Sequence, residues 1–400
     1  MSAEKKVKKT PDQIRKEIAD KMVEALKGGT PPWRQPWAEG RNLGAPRNFQ
    51  TDRRYTGVNP LILMLTAHVY GYESNRWGTF NAWLSHVGGF VKKGERATHI
   101  TLFRQIPKKG KDGKPEVNKD GKPKGIMLMR EYPVFNCDQV APPSVDDLLD
   151  GRGQYSSVKK LLGDFSRTDR KKVTTRDELV RIAAKYLPAA EVKKFPKTMS
   201  REKLAVAITE GVAAKLSRYK PVHVVQNTDP DFGPAEELLG KSKADIRHGG
   251  PDAIYNLPPK DFIRLPNKSQ FYTKADYYQS AFHELVHWAI DGKRVNVGQS
   301  DDPDKKRDYA FNELVAEIGS CFVIMELGVP LADKMIPKSQ SYVKHWVEKM
   351  GSDTKYIFDA ASQAGKVVDF LLGFVGKANP AYVGGDDDSE EQEMPRRAIA

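Results

Sequence analysis

The sequence predicts an α+β protein with three consecutive parts: a mixed α/β N-terminal domain, a small inserted helical module and a mainly helical C-terminal domain. Three patterns predict it. Apolar residues recur at helical spacing in both halves, two alternating segments between residues 91 and 135 are typical of strands, and a His-Glu-x-x-His string lies within an apolar helical segment. We expect the parts at 10–140, 141–221 and 222–376, between a basic disordered tail, 1–9, and an acidic disordered tail, 377–400.

Composition restricts the possible partners. The 400 residues carry 65 Lys and Arg against 52 Asp and Glu, a net charge of +13, which favours a polyanion because binding releases its counterions. Cys137 and Cys321 lie far apart in apolar surroundings, which excludes a disulfide framework and a cysteine-rich metal site. No apolar run reaches membrane-spanning length and no apolar signal core follows the Lys-rich start, so we expect a cytoplasmic protein without a membrane partner.

The N-terminal domain begins with a predicted helix, because 10–13 has a capping-box pattern with proline at the first helical position. A second, apolar helix is predicted over 60–70. Alternating residues predict strands within 91–103 and 125–135. The Lys-rich segment between them, 107–124, contains two Asp-Gly turns and is predicted to be a solvated hairpin extension.

Aromatic and basic side chains are interleaved through this domain. Such surfaces hold single-stranded nucleic acid, because bases stack on aromatic rings while Lys and Arg contact the phosphates. The same rings are equally compatible with covering a small core, since half-buried tryptophan is common. The candidate DNA-contacting residues are Trp33, Arg34, Trp37, Arg53, Arg54, Tyr55, Trp77, Lys92 and Lys93.

The inserted module is predicted to contain three helices. Segments 158–165, 175–186 and 200–216 have apolar residues at helical spacing, and the second and third begin with capping signals. The basic residues of the module fit either a further DNA contact or a solvated helix face.

The C-terminal domain contains the most informative motif, His283-Glu284-Leu285-Val286-His287. Histidines four residues apart lie on one face of a helix, where both imidazoles can bind one metal ion. The alternative is a buried histidine pair with a structural glutamate. Zinc takes nitrogen, oxygen and sulfur ligands in tetrahedral geometry, and a catalytic site keeps one position open for water, so a third protein ligand is required.

Glu313 is the predicted third ligand, from a second apolar helix at about 308–327. Glu317 lies one turn later on the same face, where it can accept the outer N–H of a ligand imidazole. The two glutamates could exchange roles. We favour Glu313 because Asn-Glu followed four residues later by an acid resembles the third-ligand helix of thermolysin-like gluzincins, and we expect one Zn²⁺ per chain.

A catalytic zinc site makes Glu284 the general base, which takes a proton from the attacking water after zinc has lowered the pKa of that water. Attack on a carbonyl carbon produces an oxyanion, which needs a stabilising group. Tyr309, Tyr342 and His345 are candidates, and the sequence does not choose among them.

Several segments also resemble a known family. The segments 55–60 (Tyr-Thr-Gly-Val-Asn-Pro), 77–80 (Trp-Gly-Thr-Phe), 91–95 and 134–140 resemble the N-terminal single-strand-binding domain of ArdC-type antirestriction proteins of conjugative plasmids and phages. The segments 244–250, 253–255 and 261–266 and the His-Glu-x-x-His helix resemble that family's C-terminal zincin-like domain. The resemblance implies that 142–221 is an insertion, and that 261–265 is a sheet edge along which an extended peptide lies.

Two functions are compatible with these patterns. In the first, the protein is an antirestriction-like factor that binds incoming single-stranded DNA and carries a zinc peptidase directed at a host protein. In the second, the metal site is structural or vestigial, and the protein binds single-stranded DNA in conjugation or replication without proteolysis. The intact motif, with Glu284 retained, favours peptidase chemistry.

Substitution of Trp33 and Trp37 by alanine tests the aromatic contacts. If bases stack on these rings, Trp33→Ala or Trp37→Ala weakens single-stranded DNA binding by about 1–3 kcal/mol. Affinity also falls as salt rises and exceeds that for a duplex of equal length. Fluorescence anisotropy measures these effects, and full-strength binding by the double variant would assign both rings to the core.

Overall fold

The computed structural model confirms the α+β class. No described helix is long and apolar enough to cross a bilayer. The described residues are 10–28, 44–107, 125–150, 157–163, 174–220, 231–290, 294–295, 309–329 and 337–379.

A four-stranded sheet organises the N-terminal half. Its strands are β1 (Arg47–Asn48), β2 (Arg76–Gly78), β4 (Thr98–Pro107) and β5 (Gly125–Asn136), while β3 (Phe90–Val91) pairs with β6 (Val140–Ala141) in a separate ribbon. The sheet order is β1-β2-β5-β4, with β1 and β2 parallel and β4 and β5 antiparallel. The two predicted strands are therefore present and paired. Apart from Pro107, the predicted Lys-rich extension lies outside the described residues.

The N-terminal third also contains the α-helices α1 (Pro11–Lys27), α2 (Asn59–Tyr70) and α3 (Phe80–Ala82). The predicted cap of α1 is confirmed, because the Gln13 N–H donates to Thr10 Oγ1 at 3.2 Å and the Thr10 N–H donates to Gln13 Oε1 at 2.8 Å. Gly71, at φ 68°, ends α2 in the left-handed region that favours glycine.

The insertion contains α4 (Val145–Leu149), α5 (Ser157–Leu162), α6 (Arg176–Tyr186), α7 (Ala189–Val192) and α8 (Arg201–Ser217), which include the three predicted helices. Its described residues share a core with the N-terminal domain. Leu148, Ile182 and Ile208 are buried in one cluster with Trp83 and Cys137 of the N-terminal domain. The short helices thus bury their apolar faces against that domain, and the two form one packed unit.

The C-terminal half consists of α9 (Gly233–Lys241), β7 (Ile246–His248), β8 (Ile254–Asn256), β9 (Phe262–Leu265), α10 (Lys274–Ile290), α11 (Tyr309–Leu327), α12 (Pro337–Ser352) and α13 (Tyr356–Gly373). The small sheet has the order β7-β9-β8. The predicted edge strand, 261–265, is therefore central, and β7 and β8 are the edges. Alternating residues specify which face of a strand is buried, but not how many neighbours it has.

The largest core cluster crosses the predicted domain boundary. Ile18 of α1 and Leu61 of α2 are buried together with Leu285 of α10 and Leu314 of α11. Helix α1 also packs against α12. The first helix of the chain thus belongs, by its contacts, to the core of the C-terminal half.

A buried ion-pair cluster also joins the two halves. Arg54 donates to Asp369 of α13 at 2.6 Å and lies 3.7 Å from Glu326 of α11, which also accepts from Arg47. The side chains of Arg54 and Glu326 are 8% and 3% exposed. Burial raises the pKa of Glu326, although Arg54 and Arg47 act in the opposite direction. Arg54 thus makes protein contacts at the junction, and its predicted DNA contact is corrected.

Arg54→Ala should destabilise the protein by about 3 kcal/mol, because it removes one of the two cations that face the buried carboxylate of Glu326. Lys16→Ala is the matched control, since Lys16 pairs with Asp20 on the exposed face of α1, and should cost less than about 0.5 kcal/mol. Urea unfolding measures both values. Equal small losses would show that the Arg54 cluster adds nothing beyond an exposed pair.

Candidate metal centre

Helix α10 places the two histidines of the motif on one face. The start of the helix is capped, because the Asp276 N–H donates to Thr273 Oγ1 at 3.1 Å and the Thr273 N–H donates to Asp276 at 2.8 Å. His283 and His287 follow on successive turns, and their Nε2 atoms lie 3.1 Å apart. Two ring nitrogens this close are arranged to share one cation or one proton.

Close packing of α11 against α10 brings Glu313 next to the two histidines. Gly319 faces Val286, and a Cβ atom at position 319 would lie 3.2 Å from both Val286 methyl groups. The missing side chain therefore lets the helices approach closely. Sequence reasoning did not single out Gly319, although a glycine inside an otherwise apolar helix is a signal of close approach.

His283, His287 and Glu313 form a compact donor set. Glu313 Oε2 lies 3.4 Å from His283 Nε2, and Glu313 Oε1 lies 3.3 Å from His287 Nε2. One ligand atom from each residue lies within 4.8 Å of the others, so two imidazoles and a carboxylate are close enough to hold one tetrahedral ion. Within the described ranges, this is the only group of three His, Cys, Asp or Glu residues with suitable spacing.

The charges of this group favour a cation. Burial raises the pKa of Glu313, but hydrogen bonds from His283 and His287 outweigh it, and the pKa falls well below its ordinary value. Burial lowers the pKa of His283, but Glu313, Glu317 and Glu284 together raise it above its ordinary value. The site thus concentrates negative charge around the two imidazoles, which a divalent metal would neutralise.

Glu317 lies behind the donor set. Its Oε1 is 3.8 Å from His283 Nδ1, whereas His283 Nε2 faces Glu313. The distance exceeds that of a direct hydrogen bond. The geometry nevertheless favours Glu313 as the ligand and Glu317 as the residue that orients the ring from its outer side.

Glu284 is buried beside the donor set, but its carboxylate is held by the small sheet. Its Oε2 accepts the backbone N–H of Tyr255 at 2.7 Å. Tyr255 lies on the edge strand β8 and pairs with Ile263, whose own N–H donates to Asp245 on the far side. The Tyr255 N–H therefore points away from β9, towards α10.

A side-chain network fixes β8 relative to the end of α10. Tyr255 Oη donates to Asp261 at 2.8 Å, and Arg294 donates to Asp261 at 2.5 Å and to the Trp288 carbonyl at 3.0 Å. The Arg294 guanidinium also lies 4.1 Å from the centre of the Trp288 ring. Sequence reasoning missed Tyr255, Asp261 and Arg294, because no local pattern connects them with the motif.

Of the three oxyanion candidates, Tyr309 is connected to Glu313. Burial raises the pKa of Tyr309, and the charge and hydrogen bond of Glu313 raise it further. Tyr309 begins α11, one turn before Glu313, and is 64% exposed. Tyr342 is 6.0 Å from Tyr309, ring centre to ring centre, and stacks on Trp346.

The predicted DNA-contacting residues that the structure describes differ in burial. Trp77 is 1% exposed and packs with Leu63 and Val134, so its predicted stacking role is corrected. Half-buried Tyr55 packs against that cluster and donates to the Trp77 carbonyl at 3.4 Å. Arg53 is half-buried, while Lys92 and Lys93 are exposed. Trp33, Arg34 and Trp37 lie outside the described residues.

Two family models match the chain in the order of its domains. Residues 12–135 match the N-terminal domain of the anti-restriction factor ArdC, and residues 233–363 match a zincin-like metallopeptidase. Together they cover more than half of the chain. The chain thus contains an ArdC-type N-terminal domain and a zincin-like metallopeptidase domain.

The fold of this ArdC-type chain is similar to crystal structures of the antirestriction protein ArdC from plasmid R388. The metal-free structure aligns with a TM-score of 0.59 at 24% identity, and the Mn(II)-bound structure with 0.55 at 23% identity. Each comparison covers 91% of this chain and 98% of the other. At this level of identity the likeness shows the shared fold.

Curated relatives extend the comparison to longer proteins. Two DNA primases TraC of Escherichia coli are 28% and 27% identical over 96% and 90% of the ArdC-type chain. The chain spans only 30% and 20% of their lengths. The uncharacterized protein y4eC of Sinorhizobium fredii is 24% identical, with 90% of this chain and 92% of y4eC aligned.

Substitutions of the two glutamates on α11 distinguish ligand from orienting residue. Glu313→Ala should lose bound metal, whereas Glu317→Gln should keep it with an affinity lowered about 10- to 100-fold. Elemental analysis and competition with a chromogenic chelator measure both effects. Glu348 is exposed, so Glu348→Ala is the control. If Glu317→Gln loses its metal while Glu313→Ala keeps it, the roles of the two glutamates are exchanged.

Proposed function

We propose that this ArdC-type protein serves a mobile element as an antirestriction factor, with a DNA-binding N-terminal half and a zinc-dependent peptidase in its C-terminal half. The observation that carries the peptidase is the donor set of His283, His287 and Glu313, with nitrogen and oxygen atoms 3.1–3.4 Å apart. Glu284 lies beside this set and outside it, as a general base requires.

The three residues would hold Zn²⁺, whose tetrahedral preference matches two imidazoles and one carboxylate. When bound, the ion polarises a carbonyl group and lowers the pKa of water. The same donors accept other divalent ions, and the ArdC of plasmid R388 has been crystallised with Mn(II). Zinc is our choice because its borderline-soft character suits imidazole better than the hard Mn(II) ion does.

The protein's own groups supply proton transfer and orientation. Glu284 accepts a proton from the attacking water, and its hydrogen bond from Tyr255 keeps the carboxylate in one orientation. Tyr309 is the proposed donor to the oxyanion, because it lies one turn from Glu313 on the exposed side of the site. An extended peptide would lie along the edge strand β8, whose Tyr255 N–H points towards α10.

The DNA-binding half of the proposal rests on different support. The chain carries a net charge of +13, and its first third matches the N-terminal domain of an anti-restriction factor. Relatives named DNA primase carry a similar region within longer chains. Single-stranded DNA is the proposed ligand, and a host protein that acts on incoming DNA is the proposed class of peptidase substrate.

Glu284→Gln tests the chemistry without disturbing the donor set. The variant should keep its metal and its DNA affinity, while peptide cleavage falls at least about 100-fold, because an amide cannot accept the proton. Cleavage is measured on a fluorogenic peptide library, with Glu348→Gln as the surface control.

Two outcomes would contradict the proposal. An unchanged cleavage rate in Glu284→Gln would remove the proposed base. If the metal-loaded wild type cleaves nothing while chelation lowers its melting temperature, the metal is structural, and the protein acts by binding alone.

A further inference from the structure

Tyr70 is an exposed aromatic residue at the end of α2. Its side chain is 60% exposed, and that of its neighbour Val69 is 65% exposed. Among the described residues that match the ArdC N-terminal domain, the other exposed large apolar side chain is Leu102. Tyr70 is thus the aromatic ring of this part of the domain that most clearly presents a face to solvent.

Tyr72 supports the Tyr70 ring. The two ring centres are 5.7 Å apart and their planes differ by 18°, so the rings are stacked. Tyr72 in turn contacts the edge of Trp77, with centres 5.9 Å apart, and Trp77 is 1% exposed. The exposed ring is therefore anchored to the core through two contacts, and it loses little conformational freedom when a ligand stacks on it.

Gly71 makes this arrangement possible. Its left-handed backbone, at φ 68°, ends the helix and reverses the chain, and the Tyr72 N–H then donates to the Ala67 carbonyl at 2.8 Å. If the helix continued, the side chains of Tyr70 and Tyr72, two residues apart, would point in different directions. The glycine thus brings Tyr72 alongside Tyr70.

Lys92 is linked through Asp138 to the segment that directly follows Tyr72, and Lys93 is its neighbour in sequence. Lys92 Nζ donates to the Asp138 carbonyl at 2.7 Å, and Asp138 Oδ2 accepts the backbone N–H groups of Glu73 and Ser74, which directly follow Tyr72. Lys93 is exposed beside Lys92. Cations at this position suit the phosphates that flank a stacked base.

Two carboxylates of this region, those of Asp138 and Glu95, accept hydrogen bonds within the protein. Asp138 accepts the two N–H groups just described, and Glu95 accepts from Gln139 Nε2 at 3.0 Å. Burial, followed by Glu95, Tyr70 and Asp138, raises the pKa of Tyr72 to about 12. The phenol is therefore neutral at physiological pH and adds no charge that would repel DNA.

We propose that the Tyr70–Tyr72 stack is a base-stacking site for single-stranded DNA, with Lys92 and Lys93 contacting the adjacent phosphates. The inference rests on the proposed DNA-binding function and names a site for it. A base in a duplex has both faces covered by its neighbours, so an exposed ring anchored in this way selects unpaired bases.

Tyr70→Ala should weaken binding of a single-stranded oligonucleotide roughly 5- to 150-fold, whereas Tyr70→Phe should bind within about twofold of wild type, because the ring face remains. Lys93→Ala should weaken binding and reduce the slope of log affinity against log salt by about 1. Tyr272→Ala and Lys349→Ala are matched controls, since both side chains are exposed in the C-terminal half and Tyr272 is 94% exposed.

A fluorescent base distinguishes stacking from loss of structure. The fluorescence of an oligonucleotide containing 2-aminopurine should fall when it binds wild type or Tyr70→Phe. It should stay high when the oligonucleotide is saturated with the Tyr70→Ala variant. Circular dichroism should show unchanged folding, since the Tyr70 side chain is largely exposed. Equal affinity and equal quenching in Tyr70→Ala would overturn this site alone, whereas absence of binding by wild type would overturn the DNA-binding proposal as well.

Discussion

The close packing of α10 against α11 is the constraint on which the candidate metal centre depends. The two histidines are adjacent on one helix whatever the rest of the chain does, but Glu313 reaches them only if the second helix approaches closely. Gly319 opposite Val286 permits that approach. The two Glu313 oxygens then lie 3.3 and 3.4 Å from the two imidazoles, close enough for the three residues to hold one ion, and a longer helix separation would leave a histidine pair without a third ligand.

The same helix connects the centre to the N-terminal half. Glu326, between three and four turns after Glu313 on α11, pairs with Arg47 and Arg54, and Arg54 also pairs with Asp369 of α13. Helices α1 and α2 share a core with α10 and α11. The two halves are thus packed together around the helix that carries the third ligand, and their boundary in the sequence is not a boundary in the core.

Burial divides the interleaved aromatic and basic residues into different classes. Trp77 and Trp83 fill cores, Arg54 pairs with the buried Glu326 side chain and with Asp369, and Tyr70 remains exposed on a stack that Trp77 supports. A ring inside the protein and a ring that holds a base require the same residue type, so composition alone cannot separate them. Two structural properties separate them. A ring that holds a base needs one face exposed to solvent and a neighbouring side chain that holds the ring in place.

The sequence by itself determined the elements and the motif. The capping box at Thr10, apolar spacing along α2 and α11, and alternating residues in β4 and β5 are local signals, and they predicted these elements within a few residues. The spacing of His283 and His287 required only a helix. Because each signal involves neighbours along the chain, no knowledge of long-range contacts was needed.

Tertiary structure decided what depends on distant residues. The central position of β9, the hydrogen bond between the Tyr255 amide and Glu284, the burial of Arg54 and the shared core of the insertion all arise from contacts between segments far apart in sequence. A side chain's role in such contacts follows from which neighbours cover it. That information lies in the packing of the whole chain, and the local pattern of residues does not contain it.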